Sequence, residues 1–190
     1  VVTLLHHTNY IGKKFEKKDG QLIRTPAAQF YKGTARVVEV PTAASLVEVL
    51  TNPDPNAVLC LGRPKGGLAT AHVVTLSKVS QGKIARTLEY FEYPTGPGWL
   101  LLDFDLKGMP EAVSRHIEYL GGGLAALEEL WPELRHAARV FKPSSSAGVY
   151  VNGQDPLKAT GFHLFVLVKD VSTSAEILRR LEKRAWEIGL

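Results

Sequence analysis

Apolar and polar positions along this chain follow two rhythms, a period of two that marks strands and a period near 3.6 that marks helices. Val2-Thr3-Leu4-Leu5 predicts a strand over about residues 2–8, followed by a basic loop holding Lys13, Lys14, Lys17 and Lys18. Residues 35–40 read as a second strand. Pro41-Thr42 then opens a short helix carrying Leu46, Val47, Val49 and Leu50, which stops by Asn52-Pro53. The uninterrupted run Ala57-Val58-Leu59-Cys60-Leu61 predicts a buried strand, with residues 63–67 as a loop and a basic helix over 83–92.

The most hydrophobic strand is Trp99-Leu100-Leu101-Leu102-Asp103-Phe104-Asp105. Helices are expected at about 110–119 and 122–138, the second broken or kinked at Pro132. Strands follow at about 138–142, 148–151 and 162–168. The last helix opens on Thr173-Ser174-Ala175-Glu176, a capping-box pattern, and carries an apolar stripe of Ile177, Leu181, Ala185 and Ile188.

From residue 98 the order is strand, helices, three strands, helix. That describes an α+β unit, a mainly antiparallel sheet with helices on one face. Residues 1–97 read as a smaller N-terminal α/β module, which makes 98–190 the second module of one two-part domain. A cleft between two such modules is a common place for a site.

Composition narrows the setting. With 45% hydrophobic and 22% charged residues over 190 positions, the chain has the make-up of an ordinary globular protein. The single cysteine, Cys60, excludes a disulfide framework or a zinc knuckle and suits a reducing cytoplasm. No stretch approaches the ~20 apolar residues that span a bilayer, and the first residues lack a signal-peptide pattern. A soluble cytoplasmic protein with no membrane partner is expected. A net charge of +4 and a pI near 9.2 are compatible with a polyanionic partner.

Three blocks carry candidate chemistry. Because strand side chains alternate, Asp103 and Asp105 point to one side of their strand, about 6.5–7 Å apart along it. Two carboxylates so placed suit hard, oxygen-seeking cations such as Mg²⁺ or Mn²⁺. Taken alone, Asp-Phe-Asp is also the ordinary polar end of a strand. The segment Lys142-Pro143-Ser144-Ser145-Ser146-Ala147-Gly148 sets a cation and three hydroxyls between two strands, a composition suited to phosphate oxygens and equally found in polar hairpin connections. In Gly161-Phe162-His163-Leu164-Phe165-Val166, a histidine opens a hydrophobic strand beside a glycine that lets a ligand approach the backbone. Phe165 stands where a rolling-circle nicking domain would need a second histidine.

In this order the three blocks resemble the archaeo-eukaryotic primase superfamily, especially the primase-polymerases of phages and plasmids. Asp103-Phe104-Asp105 is similar to the family's Asp-x-Asp metal motif, and Gly161-Phe162-His163 to its small-x-His motif. The resemblance implies two modules with the active site between them, the C-terminal one an RNA-recognition-motif-like sheet bearing the catalytic groups. It implies a template-directed nucleotidyltransferase that makes and extends primers with a two-metal Mg²⁺ or Mn²⁺ site. Asp103 and Asp105 would be the metal ligands, and both would be catalytic together with His163. Lys142, Ser144, Ser145, Ser146, Gly161 and His163 would bind the nucleotide. The implied partners are nucleoside triphosphates and a single-stranded DNA template, with Lys32, Arg63 and Lys65 as candidate template contacts beside the cluster at 13–18.

One departure from the family stands out. Its third motif, a carboxylate after an apolar residue on a later strand, has no counterpart before Leu190. Asp170 is a poor substitute, because it sits where a strand turns into the last helix. The expectation is therefore an N-terminal piece of a longer primase, with the third acid and a helicase portion downstream, and a fragment inactive alone. Two other readings compete: a metal-dependent nuclease using the same acids, and a non-catalytic nucleic-acid-binding fragment, which would carry aromatics in place of acids on its exposed strand face.

Overall fold

Backbone pairing sorts the chain into an α+β arrangement, seen in a computed structural model that describes residues 1–19, 21–25, 30–52, 54–144, 147, 149 and 161–190. Two compact units part between Pro94 and Thr95, the second continuing through the described residues from Gly161 on.

The first unit contains β1 (Val2–His6), β2 (Lys14–Lys18), β3 (Gln21–Thr25), β4 (Lys32–Val38), α1 (Ala43–Thr51), β5 (Ala57–Leu61), β6 (Arg63–Pro64), β7 (Thr70–Val74), β8 (Lys83–Ala85) and β9 (Phe91–Glu92). Five of these strands form a mixed sheet in the order β5-β1-β4-β7-β8, antiparallel except for the parallel pair β7 and β8. One face of it buries Leu5, Ala35 and Val73, and Phe91 completes that cluster. Thr3 is buried as well, its hydroxyl satisfied by donating to the Gly62 carbonyl at 2.7 Å. Thr42 caps α1 in a reciprocal box with Ser45 and stops the preceding extended segment, as Pro41-Thr42 predicts.

The second unit contains β10 (Gly98–Asp105), α2 (Glu111–Tyr119), α3 (Gly123–Leu130), β11 (Arg139–Pro143), β12 (Gly161–Val168) and α4 (Ser174–Ile188). Its antiparallel sheet runs β10-β12-β11, with the last strand in the middle. Leu100, Leu102, Phe162, Leu164, Val166 and Val168 point to one side, where Leu124 and Leu127 of α3 and Ile177 and Leu181 of α4 pack against them. Trp131-Pro132 ends α3, since proline cannot donate to the helical ladder, and a 3-10 turn (Pro132–His136) follows. Glu128 on α3 ties this turn to the sheet, pairing with Arg139 at 2.7 Å and Arg135 at 3.4 Å. Among the described residues no helix is long and apolar enough to cross a membrane.

Several sequence expectations are corrected. The basic loop at 13–18 is the first strand of a hairpin, β2 with β3. The helix expected over 83–92 is absent: Ile84 pairs with Val73 in the sheet, and Phe91 pairs with Pro64 and is buried. Sheet pairing of Ile84 and burial of Phe91 outweigh the local helix preference. The run 57–61 is an edge strand, partly exposed throughout. The capping box at 173–176 does not form; Thr173 makes no side-chain cap. Its place is taken by Asp170, which caps a 3-10 turn (Val171–Thr173) leading into α4. The strand expected at 148–151 lies outside the described residues, Val149 apart.

Candidate active site

β10 is apolar on both sides for its first five residues and divides its faces only at its end. Trp99, Leu100 and Leu102 are buried, whereas Asp103 and Asp105 are exposed. Phe104, between the two acids, turns to the helix side, where it stacks on Phe162 with ring centroids 4.8 Å apart. Phe162 in turn meets Phe141 at 4.7 Å. Helix α3 begins hard against Phe104: a Cβ on Gly123 would lie 2.5 Å from its ring. The polar end of β10 therefore stands on an aromatic layer that fixes its backbone.

Register brings the three blocks together. Asp103 lies directly opposite His163 on β12, and His163 lies directly opposite Lys142 on β11. Directly paired residues share a face, so carboxylate, imidazole and ammonium form a row across the sheet, with Asp105 and Gly161 paired in the next row. Asp103 Oδ1 is 3.3 Å from His163 Nε2, an ion pair when the imidazole is protonated. The Asp103 side chain is 69% exposed and that of His163 37%, so both are open to a ligand. Asp105 Oδ1 accepts a hydrogen bond from the Lys107 backbone N–H at 3.0 Å, which turns the chain and holds that carboxylate in place.

Gly161 has a structural reason to lack a side chain. A Cβ there would lie 2.7 Å from the Phe104 carbonyl oxygen, so the glycine lets β12 close against β10 beside Asp105. Contact with the neighbouring strand, in addition to any ligand approach, requires it. Ser144 continues the β11 end, its N–H donating to the Gly161 carbonyl at 3.0 Å and its own carbonyl accepting from Ala147. Ser145, Ser146 and Gly148 lie outside the described residues.

Asp170 is not part of this cluster. Its Oδ1 accepts from the Ser172 hydroxyl at 2.7 Å, the Ser172 N–H at 3.0 Å and the Gly96 N–H at 3.1 Å. The Ser172 hydroxyl first, then the two amides, hold its carboxyl below the usual carboxylate range. It also lies seven residues beyond His163, past the far end of an extended strand, roughly 20 Å away.

The donor set suits a hard divalent cation. Mg²⁺ characteristically takes one or two protein carboxylates and fills its remaining positions with water and substrate phosphate. Asp103 and Asp105, two apart on one face, are two such carboxylates. Among the described residues no cluster of three or more histidine, cysteine or acidic side chains is poised to enclose a metal. A groove of about 370 Å³ lies beside β10, lined by Asp103, Leu127, Leu130, Leu181 and Ala185, with Glu182 of α4 also at its wall. No local pattern singles out Glu182, because only the packing of α4 brings it to this groove.

The three candidate template contacts lie in the first unit. Lys32 opens β4 and is exposed. Arg63 engages Glu92 at 3.1 Å across β6 and β9. Lys65 is exposed in the turn that follows β6. Comparison with family models, curated proteins and solved structures finds no match to this chain.

Proposed function

We propose that this chain carries the catalytic core of a DNA primase-polymerase, joining nucleotides from triphosphates on a single-stranded DNA template. The observation that carries the reading is the cross-strand row Asp103–His163–Lys142 with Asp105 beside it. Acids for a cation stand next to an imidazole and an ammonium suited to phosphate oxygens, all at the polar end of one sheet face. The antiparallel sheet, with helices on the opposite face and acids in place of aromatics here, fits the RNA-recognition-like module implied by the resemblance and disfavours a purely binding role.

Each residue then has a task. Asp103 and Asp105 hold Mg²⁺ or Mn²⁺, which when bound lowers the pKa of the attacking hydroxyl and stabilises the leaving pyrophosphate. In this structure His163 Nε2 lies 3.3 Å from Asp103 Oδ1; once Asp103 turns to the cation, that Nε2–H is released to donate to a phosphate oxygen. Lys142 neutralises the phosphate tail, and Ser144 adds a hydroxyl at its edge. The protein's contribution is positioning and charge complementarity.

The test uses the full-length protein with Mn²⁺, an end-labelled single-stranded template and labelled deoxynucleotide. Label should enter products longer than any starting primer, and Asp103→Ala should abolish this. Undiminished incorporation by Asp103→Ala, or breakdown of labelled template without incorporation, overturns the proposal, the second outcome in favour of a nuclease. Absence of incorporation together with unchanged Mn²⁺ affinity in Asp103→Ala overturns it as well.

A further inference from the structure

Charge is unevenly written along this sequence. Residues 20–38 and 55–88 contain eight of the 23 Lys and Arg and not one Asp or Glu, so the other fifteen cations share the remaining chain with all 19 acids. Strands β4, β7 and β8, adjacent in the first unit's sheet, are drawn entirely from these acid-free windows.

Alternation and register concentrate the cations on one face. On β4, Ala35 is buried with Leu5 and Val73, while Lys32, Thr34 and Arg36 are exposed on the other side. Thr34 pairs with His72 and His72 with Lys83, which makes a row of hydroxyl, imidazole and ammonium across three strands. Arg36 pairs with Thr70 in the neighbouring row. All six of these polar side chains are exposed. A groove of about 400 Å³ lies on this face, lined by Thr34, Leu68, Thr70, His72 and Lys83 among others, with no carboxylate among the described residues of its wall. The ion pairs of the described residues include none of Lys32, Arg36 and Lys83. His6 of β1, which pairs with Thr34, engages Asp54 at 3.0 Å, and Asp54 also accepts from the Asn56 N–H at 2.8 Å.

We infer that the exposed face of β4, β7 and β8 is a track for the phosphate backbone of single-stranded nucleic acid. Unpaired like charges on one face repel one another, and a polyanion relieves that repulsion by exchanging its counterions for them. Lys32, Thr34 and Arg36 repeat about every 6.5–7 Å along β4, a regular spacing that suits a regularly charged strand better than an irregular acidic protein surface. Thr34 and Thr70 can donate to phosphate oxygens, and Leu68, half exposed beside the groove, offers an apolar contact for a base. The choice of a nucleic acid rests on the nucleotidyl-transfer reading; the cationic face does not. Of the template contacts expected from sequence, Lys32 belongs to this face, and Arg36, His72 and Lys83 join it.

The test is fluorescence anisotropy of a labelled 20-nucleotide oligothymidylate with the whole chain, without divalent metal or triphosphate. The triple variant Lys32→Gln, Arg36→Gln, Lys83→Gln should weaken binding at least 10-fold. Its plot of log K against log salt should be shallower by about two, since each single-strand phosphate contact contributes about 0.7. A charge-matched control, Arg115→Gln, Arg179→Gln, Lys183→Gln, should stay within about twofold of wild type, with melting curves showing both triples folded. Equal weakening by both triples, wild-type binding by the face triple, no binding by the wild-type chain, or equal competition by polyglutamate each overturns the inference. Neither metal nor triphosphate is present, so this failure is separate from that of the Asp103 reading: an Asp103→Ala chain that binds as wild type but cannot synthesise leaves the face intact.

Discussion

Asp103 and His163 face each other across the β10–β12 ladder, with Oδ1 3.3 Å from Nε2, although sixty residues separate them in sequence. The pairing makes their roles separable. The acid is the more exposed partner and is free to turn toward a cation, while the imidazole stands between it and Lys142.

Replacing Asp103 or Asp105 by alanine should remove Mn²⁺ binding and leave the fold intact. Asp103 is exposed at a strand end, where surface changes usually shift stability by no more than about 0.5 kcal/mol. Asp105→Ala also gives up the bond from the Lys107 N–H, about 0.5–1.5 kcal/mol. Isothermal titration with Mn²⁺, together with chemical denaturation, checks both halves. A large loss of stability would assign the two acids to structure.

His163→Gln and Lys142→Gln should each weaken triphosphate binding by roughly 10-fold, the loss of about one charge-assisted contact of 1.4 kcal/mol. Mn²⁺ affinity without nucleotide should stay nearly unchanged. Equilibrium binding of a non-hydrolysable triphosphate, measured with and without metal, distinguishes the two effects.

Gly161→Ala should destabilise the second unit by about 1–3 kcal/mol, the usual cost of forcing an extra methyl into a packed site. The added carbon meets a backbone oxygen, Phe104 O, at 2.7 Å, and that oxygen yields only if the strands separate. A denaturation midpoint equal to wild type would show that the glycine serves ligand approach alone.

Acid should loosen the entry to α4. Asp170 has a folded-state pKa below its ordinary 3.8, held down by the Ser172 hydroxyl, the Gly96 N–H and the Ser172 N–H. Its stabilising contribution is therefore complete above the unfolded value, near 3.8, and is lost as pH falls through the lower folded value. Asp170→Asn, which cannot titrate, should flatten the acid limb of a melting-temperature profile below about pH 4. An unchanged acid limb contradicts this assignment.

What the sequence made legible follows its strongest periodic signals. β10, β12 and α4 have long apolar runs or stripes, and the break at Pro132 and the cap at Thr42 have local causes. The hairpin β2–β3 escaped because Lys14-Phe15-Glu16-Lys17-Lys18 has one apolar residue and no face to bury. The segment at 83–92 misled because its local composition suits a helix, while Ile84 and Phe91 answer to distant partners, Val73 and Pro64. In the site, the shared side of Asp103 and Asp105 follows from strand alternation alone. The opposition of Asp103 to His163, and of His163 to Lys142, depends on register between strands, which no local pattern fixes.

The central claim is that Asp103 and Asp105 hold a cation beside His163, and paramagnetic broadening by Mn²⁺ tests it without requiring turnover. The chain has six histidines, so imidazole proton resonances, assigned by single substitutions, can be compared within one spectrum. At substoichiometric Mn²⁺ the His163 signal should broaden first, and this selectivity should vanish in Asp103→Ala and Asp105→Ala. Equal broadening of all six histidines, or selective broadening of His163 that survives both substitutions, would contradict the account.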